Sequence, residues 1–369
     1  MSQLSVGILG IGHIGAVHLQ AAEAMDGVSV LAAADEEASK RELATRLGVP
    51  AVYSSCKELL EREPVDVAVV ALPPFLHEEA IRRSIEAGAH VFVEKPFASS
   101  TEEGRRLIEA AAAADVSIGV DHTLRYQSEM QAVKAAYDSG TAGSVPMAHV
   151  SRINSGPFEP PPASEPVPDW PLDPDAVGGG AVMDLGVHLF DLLEWLFGEM
   201  EVCHAELGRQ LGLDYEDTAA IVLRSGETGT IATVHCGYYQ WEEPPDVNMR
   251  VRLDGVAKTI ESADYVPNFF LHAGKSALEN LGKRLVGEDP SYFEPTYYYR
   301  AHFETLEAFV DAVHEGREPP ASGFDGLRAI ELVEETYRVA AESDTGSERS
   351  GADRWSDRWE ADVEVPNRE

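Results

Sequence analysis

At 369 residues and 40.0 kDa the chain exceeds the length at which one hydrophobic core stops growing, so two domains are expected. Its apolar content of 44% is ordinary, and no run approaches the roughly 20 apolar residues of a spanning helix, which argues against a membrane-crossing role. With 64 acidic against 29 basic residues, only seven of them lysine, the net charge of -35 repels phosphate backbones and anionic lipids, so neither nucleic acid nor a membrane surface is expected as a partner.

The acids are scattered rather than blocked, which fits either plain solubility or adaptation to molar salt, where screening cancels self-repulsion; the scarcity of lysine favours salt adaptation, as in a halophile. The opening residues, "MSQLSVGILG", run straight into an apolar stretch with no leader-like segment, so a cytoplasmic chain is expected. Cys56, Cys203 and Cys236 are odd in number and widely spaced, giving neither a disulfide framework nor a zinc pattern, in keeping with a reducing compartment.

From Leu4 to about Val120, "LSVGIL", "VSVLAAA", "VDVAVVAL", "HVFV" and "VSIGV" are apolar without alternation, as in strands buried on both faces. Between them "IGAVHLQAAEAM", "EEASKRELATRLG", "LHEEAIRRSIEAG" and "TEEGRRLIEAAAAA" carry helical periodicity and end at glycine or turn residues. This alternation predicts an α/β unit, a doubly wound parallel sheet over residues 1–122. After Asp121 the pattern changes. "PMAHVSRINS" leads into the proline-rich loop "GPFEPPPASEPVPDWPLDP", then a helix from Gly180 to Phe197. The runs "EVCHAELGR", "TAAIVLRS", "GTIATVHCGYY", "VNMRVRLDG" and "AKTIES" follow without helices between them, predicting an α+β unit over 123–342 on a mostly antiparallel sheet with its helices on one face. Helices near 299–316 and 323–342 close it. Residues 343–369, with Trp355 and Trp359, form an acidic tail.

Directly after the first strand, "GILGIGHIG" places Gly10, Gly12 and Gly15 in G-x-G-x-x-G spacing, and Asp35 ends the second strand twenty residues on. With a strand before it and a helix after it, this is the dinucleotide fingerprint: Gly10 for the turn, Gly12 for approach of the pyrophosphate, Gly15 for helix packing. His13 and Ile14 lie inside the same loop and join the cofactor-binding candidates. Asp35 would accept the adenine-ribose hydroxyls, and with Glu36 and Glu37 it would repel a 2′-phosphate, so NAD is preferred; Lys40 and Arg41 nearby keep NADP as the second candidate.

In "HVFVEKPFASS" a charged pair ends an apolar strand. Ligands of such sheets sit beyond the carboxyl ends of the strands, so Lys95 points at the cofactor crevice and can favour an alkoxide as hydride leaves, with Glu94 to orient it; alone, the pair reads equally well as a surface ion pair. In "GGGAVMDLGVHLFDLLEWLFG", Asp184 and His188 stand four apart on one helical face, with Asp191 a turn further on. A histidine beside a carboxylate is equipped for proton transfer, the acid polarising the imidazole or gripping a substrate hydroxyl, although a helix with an ordinary polar stripe would look the same. The three glycines before it suit close approach of backbone to ligand. No metal is suggested: His204, His235 and His272 are isolated.

Taken with "ALPPFLHEEAI", "GAHVFVEKP", "DWPLDPDAVGGGAVMDLGVHLFDLLEWLFG" and "SGFDGLRAIELVEETY", the chain resembles the glucose–fructose oxidoreductase / inositol dehydrogenase / rhizopine catabolism (Gfo/Idh/MocA) family from about Leu4 to Glu342. The resemblance implies NAD(P)-dependent oxidation of a sugar, cyclitol or sugar derivative, a cis Lys95–Pro96 bond, and catalysis by Lys95, Asp184 and His188. It also implies a homo-oligomer, dimer or tetramer, built on the open sheet. Pro73 and His77 fall in the cofactor-side segment, where Leu72-Pro73-Pro74 replaces the family's usual Thr-Pro-Asn and removes a side-chain contact. Arg125 and Tyr126 of "DHTLRYQ", and Trp170, are the substrate-binding candidates, though Pro171 follows Trp170 where arginine is usual, and Arg125 could equally pair with a nearby acid. Two alternatives stay open: a glycosidase that oxidises its sugar transiently through bound NAD, and a non-catalytic sugar sensor on the same fold.

Overall fold

Strands apolar on both faces need cover on both sides, and in the computed structural model they receive it. The first sheet contains β1 (Leu4–Leu9), β2 (Val28–Ala34), β3 (Ala51–Tyr53), β4 (Val67–Val70), β5 (His90–Val93) and β6 (Ile118–Val120), all parallel, in the order β3-β2-β1-β4-β5-β6. Helices α1 (His13–Ala24), α2 (Ala38–Arg46), α3 (Cys56–Arg62), α4 (His77–Glu86) and α5 (Thr101–Ala114) connect them. Leu9, Ala68, Val70 and Val91 bury one face, while Val6, Ile8, Val67 and Phe92 bury the other. The three-residue β3 and the short α3 lie below what periodicity detects, and the sequence reading passes over both. Strand order reverses between β1 and β4, so the loops at their carboxyl ends diverge and open a crevice.

The structure describes residues 3–154, 156–158, 172–239, 248–262 and 297–346, with positions 278, 281, 282 and 285. Trp170, Pro171, His272 and the tail from 347 onward, with Trp355 and Trp359, lie outside them.

After α6 (Ser128–Asp138) comes a second sheet of β7 (Met147–Ile153), β8 (Met200–Gly208), β9 (Thr218–Ser225), β10 (Ile231–Gly237), β11 (Asn248–Asp254) and β12 (Thr259–Glu261). Its order is β12-β11-β7-β10-β9-β8, antiparallel throughout except for the parallel pair β7 and β10. Val150, Ile221, Leu223 and Val234 bury one face against α8 (Val187–Phe197) and α10 (Gly323–Gly346), reached through the short α7 (Pro174–Val177) and through α9 (Tyr297–Glu315). The opposite face carries His149, His235 and Arg252, as alternation requires of a half-covered sheet.

Neither closing helix serves the second sheet alone. Leu306, Phe309 and Val310 of α9 join the core around Val6, Ile8 and Phe92 of the first sheet. Gly119 makes room for this, since a Cβ there would stand 2.3 Å from the Phe309 ring. Leu327 of α10 packs with Val91 and Val120, while Ile330 and Val333 face the second sheet. The two sheets are thus tied together around the crevice.

Candidate active site

The glycine loop performs the three tasks its spacing assigns. Gly10 adopts φ +94° with its would-be Cβ 2.4 Å from the Ala71 carbonyl oxygen, and a Cβ on Gly15 would lie 2.0 Å from the Gly10 carbonyl oxygen. Both positions are closed by protein. A Cβ on Gly12 meets nothing within 4 Å among the described residues, so the space beside the α1 N-terminus is open where a pyrophosphate would sit. Asp35 accepts from the backbone N–H of Ile11 and of Glu37, each at 2.8 Å, which fixes its carboxylate at the end of β2 beside that space. Arg41 donates to the carbonyls of Asp35 and Glu36 at 2.8 and 2.6 Å. These residues fit a dinucleotide. His13 and Ile14 open α1, and the His13 ring meets Tyr299 of α9 edge-on at 5.2 Å between centroids.

Lys95 extends from the end of β5 across the crevice, and its bond to Pro96 is cis. Its Nζ donates to Asp184 Oδ1 at 2.6 Å and to the Asp184 carbonyl at 3.0 Å. The second carboxylate oxygen of Asp184 accepts from the Tyr238 hydroxyl at 3.1 Å. Enclosure alone would raise the Asp184 pKa, but the Lys95 charge and hydrogen bond, with Arg152 and Tyr238, hold it below the usual carboxylate value. The same side chain keeps 44% of its surface accessible, so it lines the open floor of the crevice rather than a sealed core. His188 is buried, and burial followed by the charges of Arg152 and Lys95 keeps its pKa well below 6.5, so the imidazole is neutral. Its Nδ1 has no hydrogen-bond partner among the described residues.

Several expectations need correction. Asp184 does not polarise His188: it lies in a π-helical turn, Val182–Gly186, and its carboxylate is engaged by Lys95 and Tyr238. Two of the three glycines admit protein rather than ligand, since Cβ atoms on Gly179 and Gly180 would strike the Tyr337 hydroxyl and the Glu216 backbone. That contact lets the buried Glu216 carboxylate accept from the N–H groups of Gly180 and Val182 and seat the π turn. Glu94 does not orient Lys95, because successive residues at a strand end point to opposite sides. It pairs instead with His18 at 2.9 Å.

His77 is completely buried, its ring nitrogens 2.8 and 2.9 Å from the carbonyls of Leu72 and Pro96; it braces the backbone behind Pro73 and Lys95 rather than facing a cofactor. Arg125 is likewise withdrawn. Its guanidinium takes both oxygens of Asp191 at 3.0 and 2.6 Å, Asp325 at 2.8 Å and the Pro320 carbonyl, a buried network that uses four of its five N–H donors. Burial opposes that charge, and Asp191 and Asp325 outweigh it. Asp191 is therefore a partner of Arg125 and not an extension of the site. Tyr126 remains half-buried at the end of the same short turn, Thr123–Tyr126.

The reading from sequence missed two groupings. Arg152 on β7 acts on Asp184 and His188 and Tyr238 beyond β10 bonds Asp184, yet in the sequence they sit in unremarkable strand ends. The other grouping joins His18 of α1, Glu94, Asp121 and His302 of α9, whose polar atoms lie within 4.8 Å of one another. His18 Nε2 is 3.3 Å and His302 Nδ1 2.5 Å from Asp121 Oδ2, so two imidazoles and two carboxylates cluster behind Lys95. Four separate elements supply it, which no chain spacing could announce.

Fold and glycine loop together define a dinucleotide-binding oxidoreductase. The family model for the oxidoreductase family with an NAD-binding Rossmann fold, Gfo/Idh/MocA, matches residues 4–122, and a Gfo/Idh/MocA C-terminal domain model matches 130–261. The chain belongs to the Gfo/Idh/MocA family. It is 29% identical to the myo-inositol 2-dehydrogenase of Thermotoga maritima over 89% of this chain and 94% of that one. It is 25% identical to a D-xylose 1-dehydrogenase (NADP(+)) of Haloferax volcanii over 90% and 96% of the two chains. The crystal structure of GenD2 from gentamicin A biosynthesis in complex with NAD superimposes with a TM-score of 0.77 at 25% identity, covering 93% of this chain and 95% of that one.

Proposed function

We propose that this protein is an NAD-dependent dehydrogenase that oxidises a secondary alcohol, or the anomeric carbon, of a sugar, cyclitol or sugar derivative. The observation that carries the reading is the Lys95 ammonium, which gives two of its three N–H groups to Asp184 and keeps the third for a substrate oxygen in the crevice beside the glycine loop. Lys95 stabilises negative charge on the carbinol oxygen as it develops, Asp184 holds the ammonium and accepts from a second hydroxyl, and neutral His188 takes the hydroxyl proton. NAD, when bound, supplies the acceptor for the hydride leaving carbon. Gly10, Gly12, His13, Ile14, Gly15, Asp35 and Pro73 would hold it, with NADP the weaker cofactor because Asp35, Glu36 and Glu37 crowd the ribose. Relatives named for inositol and xylose dehydrogenation support a polyhydroxylated small-molecule substrate.

We infer further that the chain works as a cytoplasmic homo-oligomer, a dimer or tetramer joined across the uncovered face of the second sheet, with Rossmann and substrate units at 1–122 and 123–342. The net charge of -35 supports function at molar salt. The test is absorbance-followed NADH formation in high KCl, with NAD and NADP in turn against aldoses, inositols and nucleotide sugars. Turnover with NAD and one substrate class is expected. Tight NAD binding without net reduction for any of them would contradict the dehydrogenase.

A further inference from the structure

Alternation along β7 puts Ala148, Val150 and Arg152 on the face turned toward the helices. The first two are buried apolar residues, but the third is a cation. In register, Arg152 lies between Cys236 of β10 and Met249 of β11, both buried, and two residues beyond Cys236 stands Tyr238, which reaches Asp184. The guanidinium therefore enters the floor of the crevice next to Asp184 and His188. Its Nε and Nη1 are covered and have no acceptor among the described residues. This is unexpected in a chain with 64 carboxylate side chains, where the buried guanidinium of Arg125 takes two of them. Covered guanidinium N–H groups without an acceptor are costly, and such groups persist where a ligand brings the missing anion.

We propose that Arg152 is the subsite for a carboxylate of the substrate, so that the enzyme oxidises a sugar acid or polyol acid in preference to its neutral counterpart. This rests on the dehydrogenase reading of the same crevice and narrows its substrate class. A guanidinium matches a planar carboxylate through paired N–H donors, whereas a dianionic phosphate would stand against the negative charge of Asp184. With the Arg152 charge acting on both Asp184 and His188, the carboxylate belongs within a few bonds of the carbon that is oxidised.

The experiment is calorimetric titration of the NADH-loaded enzyme, at one fixed KCl concentration, with glucuronate and glucose, galacturonate and galactose, gluconate and glucitol, and glucose 6-phosphate. Wild type, Arg152→Gln and Arg152→Lys are compared, each checked for native circular dichroism. The expected result is that at least one acid binds about 10- to 100-fold tighter than its neutral partner, that Arg152→Gln erases the difference, and that Arg152→Lys restores part of it. Neutral sugars binding as well as the acids, an acid preference untouched in Arg152→Gln, or no binding by any of these compounds would each overturn the proposal. Binding of glucose 6-phosphate in place of the acids would overturn the carboxylate in favour of a phosphate. Acid binding through Arg152 without NADH formation from NAD would count against the dehydrogenase reading and leave the anion subsite standing.

Discussion

Lys95 and Asp184 stand 89 positions apart in the chain, one beyond the carboxyl end of β5 and the other in the π turn before α8, yet Lys95 Nζ lies 2.6 Å from Asp184 Oδ1. The pair closes the crevice floor between a strand end that aims an ammonium and a π turn that exposes a carboxylate. Each partner holds the other in the geometry the reaction needs, so neither is expected to act well without the other.

Replacing Lys95 by Met, or Asp184 by Asn, should lower kcat by roughly 10²- to 10⁴-fold. NAD affinity, measured by fluorescence titration, should stay within a few-fold of wild type, because the glycine loop is untouched. The double variant should cost little more than either single one, since the two act as a unit.

Burial first, then the Arg152 and Lys95 charges, hold His188 neutral well below pH 6.5. The acid limb of kcat/KM, which reports protonation of the base in the free enzyme, should therefore lie below pH 6.5. Arg152→Gln removes one of the cations that disfavour the imidazolium, so the limb should move toward higher pH. A pH–rate profile of the two enzymes checks this.

His18 is completely buried, and burial alone would lower its pKa; hydrogen bonds to Asp121 and Glu94 reverse this and raise it from 6.5 to about 9. A raised folded-state pKa means stability fully present below pH 6.5 and lost as pH rises through about 9, on the order of 3 kcal/mol. Denaturant melts at pH 6.5 and pH 10 should show that loss in wild type and little of it in His18→Gln. A chelator should leave the melts unchanged, the cluster being held by its own hydrogen bonds.

Gly12→Ala and Gly15→Ala should separate cofactor binding from folding. The Gly12 variant has room for its methyl group and should fold normally while losing NAD affinity, roughly 10-fold or more. In the Gly15 variant the methyl group would strike the Gly10 carbonyl, so the melting temperature itself should fall. Asp35→Ser should shift preference toward NADP, read as the ratio of kcat/KM for the two cofactors.

The first sheet was legible because its strands are apolar runs at regular spacing: "LSVGIL" and "VSVLAAA" coincide with β1 and β2 residue for residue. Gly10, Gly12 and Gly15 were legible for a related reason, their tasks being set by local backbone. What the sequence could not convey is where a charged side chain finds its partner. Arg125 and Arg152 look alike in the sequence, yet Asp191 and Asp325 reach the first, while Nε and Nη1 of the second meet no acceptor among the described residues. His18, Glu94, Asp121 and His302 meet only because α9 crosses back onto the first sheet, a long-range packing event that leaves no periodicity behind.

The most direct test of the reaction centre uses the substrate identified by turnover, carrying deuterium on the carbon to be oxidised, with NAD and wild-type, Lys95→Met and His188→Asn enzymes. Mass spectrometry should find the deuterium in the reduced nicotinamide for wild type and little or none for the two variants at undiminished NAD affinity. Undiminished transfer in Lys95→Met, or deuterium returned to a cleaved product with no NADH released, would contradict the account.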